Sequence, residues 1–103
     1  MTTNVNAEIP ITQYLLPDGR KRQTGIVRPA EIAAQAQRCL EAGMRFEAEV
    51  LGSGHVSLTV VGEDEDGEEG DLAIEVIENG PGVPEAFDRL VQSAVAILDG
   101  RDD

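Results

Sequence analysis

Residues 44–61 read MRFEAEVLGSGHVSLTVV. Met44, Phe46, Ala48 and Val50 alternate with Arg45, Glu47 and Glu49; after Gly52, Ser53 and Gly54 the pattern resumes, with Val56, Leu58 and Val60 against Ser57 and Thr59. Successive side chains of an extended chain point to opposite faces, so this period of two predicts strands over 44–50 and 55–61, each with one buried and one wet face. The Gly-Ser-Gly between them is turn chemistry and makes the pair an antiparallel hairpin. A third strand is expected over 71–77, with Leu72, Ile74 and Val76 inward and Ala73 and Glu75 on the opposite side, after an acidic loop over 63–70.

Upstream, IPITQYLL (9–16) is β-branched and apolar, Pro17-Asp18-Gly19-Arg20 supplies a turn, and 21–27 returns as a second strand. Gly25 within the return arm suggests a bulge or bend. Pro29 suits the first position of a helix, where its missing N–H is no loss, and Glu31 suits the positive end of the helix dipole. Ile32, Ala36, Cys39 and Leu40 fall on one stripe, and Gly43 is the stop signal.

Downstream, residues 78–82 break the third strand of the meander and Pro84 opens a second helix. Its stripe is Val83, Phe87, Leu90, Val91, Ala94, Ile97 and Leu98, and Gly100 ends it. The expected order is ββαβββα. This is an α+β, two-layer domain: a mainly antiparallel five-stranded sheet with both helices packed on one face and the other face open. Residues 1–8 carry no periodicity and read as a flexible N-terminal leader; 9–103 reads as a single α+β domain without internal repeats.

Composition narrows the function. Ile, Leu, Val and Phe make up about a quarter of the 103 residues, enough for one modest core. The three aromatics, Tyr14, Phe46 and Phe87, offer no stacking platform for bases. The single Cys39 cannot close an internal disulfide and, on the helix stripe, reads as a small core residue. No apolar run approaches the roughly 20 residues that span a bilayer, and the first ten residues lack the basic start and apolar core of an export signal. A cytoplasmic protein without a membrane partner is expected.

Net charge is −12, which opposes direct contact with nucleic acid or an anionic lipid surface. It is unevenly spread: residues 1–45 hold six basic and four acidic side chains, a balance of +2, whereas 46–103 hold two and sixteen, a balance of −14. Arg20, Lys21, Arg22 and Arg28 are expected at the tip and return arm of the first hairpin, in solvent or against a protein.

The acidic stretch is the one unusual segment. Asp64, Asp66, Glu68 and Glu75 match the first, third, fifth and twelfth positions of a calcium-binding EF-hand loop, but Glu69 stands where that loop needs glycine, and strands flank it where helices should. No metal site and no cofactor are expected. His55 reads as a partly exposed strand-end residue, apart from any serine, cysteine or second histidine that could complete a catalytic pair. Gly52-Ser53-Gly54 and Gly80-Pro81-Gly82 lack the spacing of phosphate-binding loops and read as turns.

With no catalytic set, the chain is expected not to be an enzyme. It reads as an acidic protein-binding module that docks a basic partner through Glu47, Glu49, Glu63, Asp64, Glu65, Asp66, Glu68, Glu69, Asp71 and Glu75. In its sharper form the carboxylates imitate nucleic-acid phosphates and block a basic protein; small acidic inhibitors carried by phages and mobile elements share these bulk properties, though no motif links the chain to them. The alternative is a homodimer or larger assembly formed through the open sheet face or an edge strand.

Overall fold

The computed structural model describes residues 6–22 and 24–100. The elements run β1 (Asn6–Ile11), β2 (Gln13–Leu15), β3 (Thr24–Pro29), α1 (Ala30–Glu41), β4 (Arg45–Val50), β5 (His55–Glu63), β6 (Glu69–Glu78) and α2 (Val83–Gly100). The α+β class holds, but the single five-stranded antiparallel sheet does not. The described strands form a two-stranded sheet, β1–β3, and a mixed four-stranded sheet in the order β2-β4-β5-β6.

The cause lies at Thr12, where the stretch expected as one strand splits. The Thr12 N–H and its hydroxyl both donate to the carbonyl oxygen of Phe46, at 2.9 and 3.1 Å, bending the chain so that β2 leaves β1 and pairs in parallel with β4, Gln13 opposite Glu47 and Leu15 opposite Glu49. The hairpin itself forms: β1 and β3 pair antiparallel from Asn6 opposite Pro29 to Ile11 opposite Thr24. Gly19, at φ +86, makes its turn. Gly25 stands in unbroken register opposite Pro10, so the expected bulge is not there. β1 begins at Asn6, inside the expected leader, because Asn6, Ala7 and Glu8 find ladder partners in β3; residues 1–5 of that leader and the last three of the chain lie outside the described residues.

Pro29 closes β3 and caps α1 rather than opening it. The helix ends as its sequence predicts. Gly43 at φ +93 lets its own N–H reach the Leu40 carbonyl and the Met44 N–H reach that of Cys39, satisfying two carbonyls that helix termination orphans. Met44 and Cys39, joined by that turn, are both buried in the core.

That core lies between the sheet and α2. Phe46, Ala48, Val56, Leu58 and Val60 face Phe87, Leu90, Val91 and Ala94, with Ile9 and Ile11 of β1 and Ala36 and Cys39 of α1 closing one side. The Phe46 and Phe87 rings meet at 5.2 Å between centroids, tilted by 56°, a favoured aromatic geometry. α2 covers β5 and β6; α1 packs beside α2 and over β1 and β3. No helix among the described residues is long and apolar enough to cross a membrane.

Candidate anionic face and hairpin tip

The facing of β6 differs from the expected one. Val60 pairs with Ala73 but Val61 pairs with Asp71, leaving Leu72 as the extra residue of a β-bulge. Past a bulge the side-chain alternation slips by one, which moves every later residue to the other face. Leu72 and Ala73 therefore both pack inward, followed by Ile77, whereas Ile74 and Val76 stand out on the open face at 55% and 56% exposure.

The same slip moves Glu75. It lies opposite Leu58, on the helix side, and accepts a hydrogen bond from Arg89 Nε of α2 at 3.2 Å. It is a strap between sheet and helix, and leaves the set of carboxylates expected on the open side.

Nine expected residues remain, and the ladders place five of them together. Cross-strand partners share a face, so Glu47 with Thr59 and Ile74, and Glu49 with Ser57 and Val76, form two rows across the open side; Arg45, Val61 and Asp71 form a third, and Glu63 opposite Glu69 extends it toward the β5–β6 turn. Gln13 and Leu15 of β2 complete the first two rows. Together Gln13, Glu47, Glu49, Ser57, Thr59 and Asp71 line a shallow groove of about 150 Å³.

Arginine partly neutralises this face. The Arg45 guanidinium pairs with Glu69 and lies 3.9 Å from Glu47. Its hydrogen bond holds the Glu69 carboxyl below the usual carboxylate range and raises Arg45 in turn.

The remaining four, Asp64, Glu65, Asp66 and Glu68, are exposed at the hairpin tip. Asp64 builds that tip: its Oδ1 accepts the backbone N–H groups of Asp66 at 2.9 Å and Glu68 at 3.0 Å, while Gly67, at φ +81, donates to the Asp64 carbonyl. A side chain accepting from the residues that follow it stabilises a turn. Asp64 thus serves the loop, and its neighbours project from it.

The basic residues separate. Arg20 pairs with Asp18 across the first turn, and the Arg22 N–H donates to the Tyr14 carbonyl. Arg28 is not at the tip: it is half-buried and grips Asp88 of α2 with two guanidinium nitrogens, its Nε reaching Oδ1 at 2.7 Å. Because Arg20, Lys21 and Arg22 belong to the β2 side of the sheet and the acidic hairpin to the β6 side, charge changes sign across the strand order.

The nucleophile candidates fall differently from expectation in one respect. Cys39 is fully buried, and burial pushes its thiol up from the ordinary value. His55, read as standing apart, has the Ser53 hydroxyl 3.0 Å from Nδ1. Ser53 is two residues back in the β4–β5 turn, so the hairpin geometry brings the two side chains together, and the contact sits in an exposed turn rather than a cleft. The signal was present in the sequence as Ser-Gly-His. Among the described residues no group of three or more His, Cys, Asp or Glu side chains is placed to hold a metal ion.

No protein-family model, no curated protein and no solved structure matches the chain, so the reading of this surface rests on its own geometry.

Proposed function

We propose that the chain is a non-catalytic binding module of the cytoplasm whose open sheet face and β5–β6 hairpin tip dock a basic protein surface. The observation that carries this reading is the convergence of Glu47, Glu49, Glu63, Glu69 and Asp71 on one face of a sheet whose other face is filled by α2, continued by exposed Glu65, Asp66 and Glu68 on a tip that Asp64 holds in shape. Carboxylates on a rigid two-layer scaffold keep their spacing, so their field steers a cationic partner and their desolvation is shared over a broad contact. Glu75 takes no part, and Arg45, paired with Glu69 and near Glu47, offsets only part of the negative charge of the face.

The test is capture of a partner from cell extract at low salt, eluted by a salt gradient, with wild type beside the triple variant Glu65→Lys, Asp66→Lys, Glu68→Lys. A basic protein held by the wild type and lost by the variant supports the reading; equal retention overturns it. If the partner binds nucleic acid and the chain displaces that nucleic acid, the charge-mimic form of the proposal gains support.

A second reading, self-association, is favoured by Ile74 and Val76, large apolar side chains left bare at the sheet edge. Light scattering separates the two: assembly that strengthens with salt supports it, and a monomer at every salt concentration removes it.

A further inference from the structure

β6 is the outer strand of the four-stranded sheet, ten residues long, and among the described residues no strand lies beyond it. Which of its backbone groups face outward follows from the ladder. The Asn79 N–H donates to the Gly54 carbonyl, in line with the register that pairs His55 with Glu78. Hydrogen-bonded and non-hydrogen-bonded pairs alternate along an antiparallel ladder. The pairs of Ile77 with Val56 and Glu75 with Leu58 are therefore of the bonded kind, and Ile74, Val76 and Glu78 turn their N–H and C=O groups away from β5. The opposite edge differs: β2 has three residues, and the Leu15–Lys21 bridge covers part of it.

Two of these three residues also carry the bare side chains. At Ile74 and Val76 free backbone donors and acceptors coincide with more than half-exposed apolar side chains, the combination that an added strand uses, main-chain bonds for affinity and alternate side chains for specificity. Acidic groups flank the pair, Glu69 and Asp71 toward the hairpin tip and Glu78 at the other end.

We infer that the β6 edge accepts an extended segment of the partner as a further strand, with small apolar residues set against Ile74 and Val76 and lysine or arginine at either end reaching Asp71 and Glu78. This rests on the proposed docking of a basic partner and names the part of that partner which binds. Charge selects this occupant over a second copy of the chain: pairing two β6 edges would bring Asp71, Glu75 and Glu78 of each close to those of the other. A single strand-to-strand contact also buries less than the roughly 1,200 Å² typical of a stable dimer.

The experiment titrates the full chain, at low salt, with a capped lysine-flanked Val-Thr-Val peptide, read by amide hydrogen exchange and by affinity. Expected are at least about tenfold slower exchange at Ile74, Val76 and Glu78 and no binding of the same peptide with glutamates for lysines. Val76→Pro, which removes an outward N–H and no ladder bond, is expected to weaken binding about tenfold or more. N-methylation of the peptide backbone, which leaves the protein untouched, has the same expected effect. Binding that ignores both changes and perturbs only Glu65 to Glu68 overturns strand addition while leaving the charge-based docking standing. No binding of the lysine peptide, while the wild type still captures its basic partner from extract, overturns strand addition alone; failure of both overturns both. Protection of the three amides in the free chain, together with a dimer in sedimentation, assigns the edge to a second copy and overturns the inference.

Discussion

At the scale of single residues, one polar pair in an unforeseen place ties two elements together around the apolar core. Arg28 and Asp88 have side chains only 20% and 22% exposed and join β3 to α2 across sixty residues of sequence. Their paired geometry suits a guanidinium and not an ammonium, so Arg28→Lys is expected to destabilise, and Arg28→Ala to cost about 1–3 kcal/mol by leaving the Asp88 charge partly desolvated and unpartnered. Urea unfolding of the two variants measures this; Asp88→Asn should recover part of the loss in the Arg28→Ala background. Cys39 gives the pH dependence. Burial raises its thiol from the ordinary 9.0, so the folded state favours the neutral form; that contribution is whole below 9.0 and is lost as pH climbs through the higher folded value. Stability should fall in alkaline solution more steeply for wild type than for Cys39→Ala, and native Cys39 should resist thiol reagents at neutral pH.

At the scale of elements, the strands and helices were legible because their signals are local. Period-two runs marked β4 and β5, and the Gly43 stop and the apolar stripes marked α1 and α2, within a residue or two of their observed ends. Two things were not legible, for one reason: both are decided by partners distant in sequence. Thr12 bends the chain only because the Phe46 carbonyl is there to accept, and the bulge at Leu72 exists only against Val60 and Val61. The bulge misled most, since β6 reads as clean alternation with Ile74 and Val76 inward until one residue is left unpaired. Two comparisons test the corrected facing. Ile77→Ala, on the packed side, is expected to cost about 1–3 kcal/mol, whereas Ile74→Thr should stay within about 0.5 kcal/mol of wild type. Glycines separate in the same way. A Cβ at Gly62 would lie 2.9 Å from Leu72 Cδ1 and 3.2 Å from the Cγ of buried Met44; one at Gly25 would meet only the side chain of exposed Glu8, which can swing aside. Gly62→Ala should therefore destabilise by about 1–3 kcal/mol, and Gly25→Ala should be near neutral or stabilise by roughly a few tenths of a kcal/mol through the unfolded chain. Of the ten candidate site residues, nine keep an outward or tip position, and the tenth, Glu75, was lost to that same bulge.

At the scale of the whole molecule, a net charge of −12 on 103 residues means that folding gathers like charges which the unfolded chain holds farther apart. Arg45, Arg89 and Arg38 each sit against a carboxylate of the fold, but exposed pairs of this kind contribute little, and the hairpin tip brings Glu65, Asp66 and Glu68 together beside them. Repulsion should therefore outweigh the surface pairs. Shortening the Debye length from about 30 Å to about 8 Å, by raising ionic strength from 0.01 M to 0.15 M, is expected to raise the thermal midpoint by about 5 °C, the equivalent of about 1 kcal/mol for a domain this size. Replacing Glu65, Asp66 and Glu68 by lysine changes the charge by +6, from −12 to −6, and should both raise the midpoint at low salt and shrink its response to added salt. The docking proposal depends on the same quantity. Whatever free energy salt recovers by screening the acidic side is also available to a cationic partner that neutralises it, so the variant that gains most stability should lose most affinity. A midpoint that falls as salt is added would mean that the ion pairs dominate, and that the anionic face holds no such reserve for a partner to release.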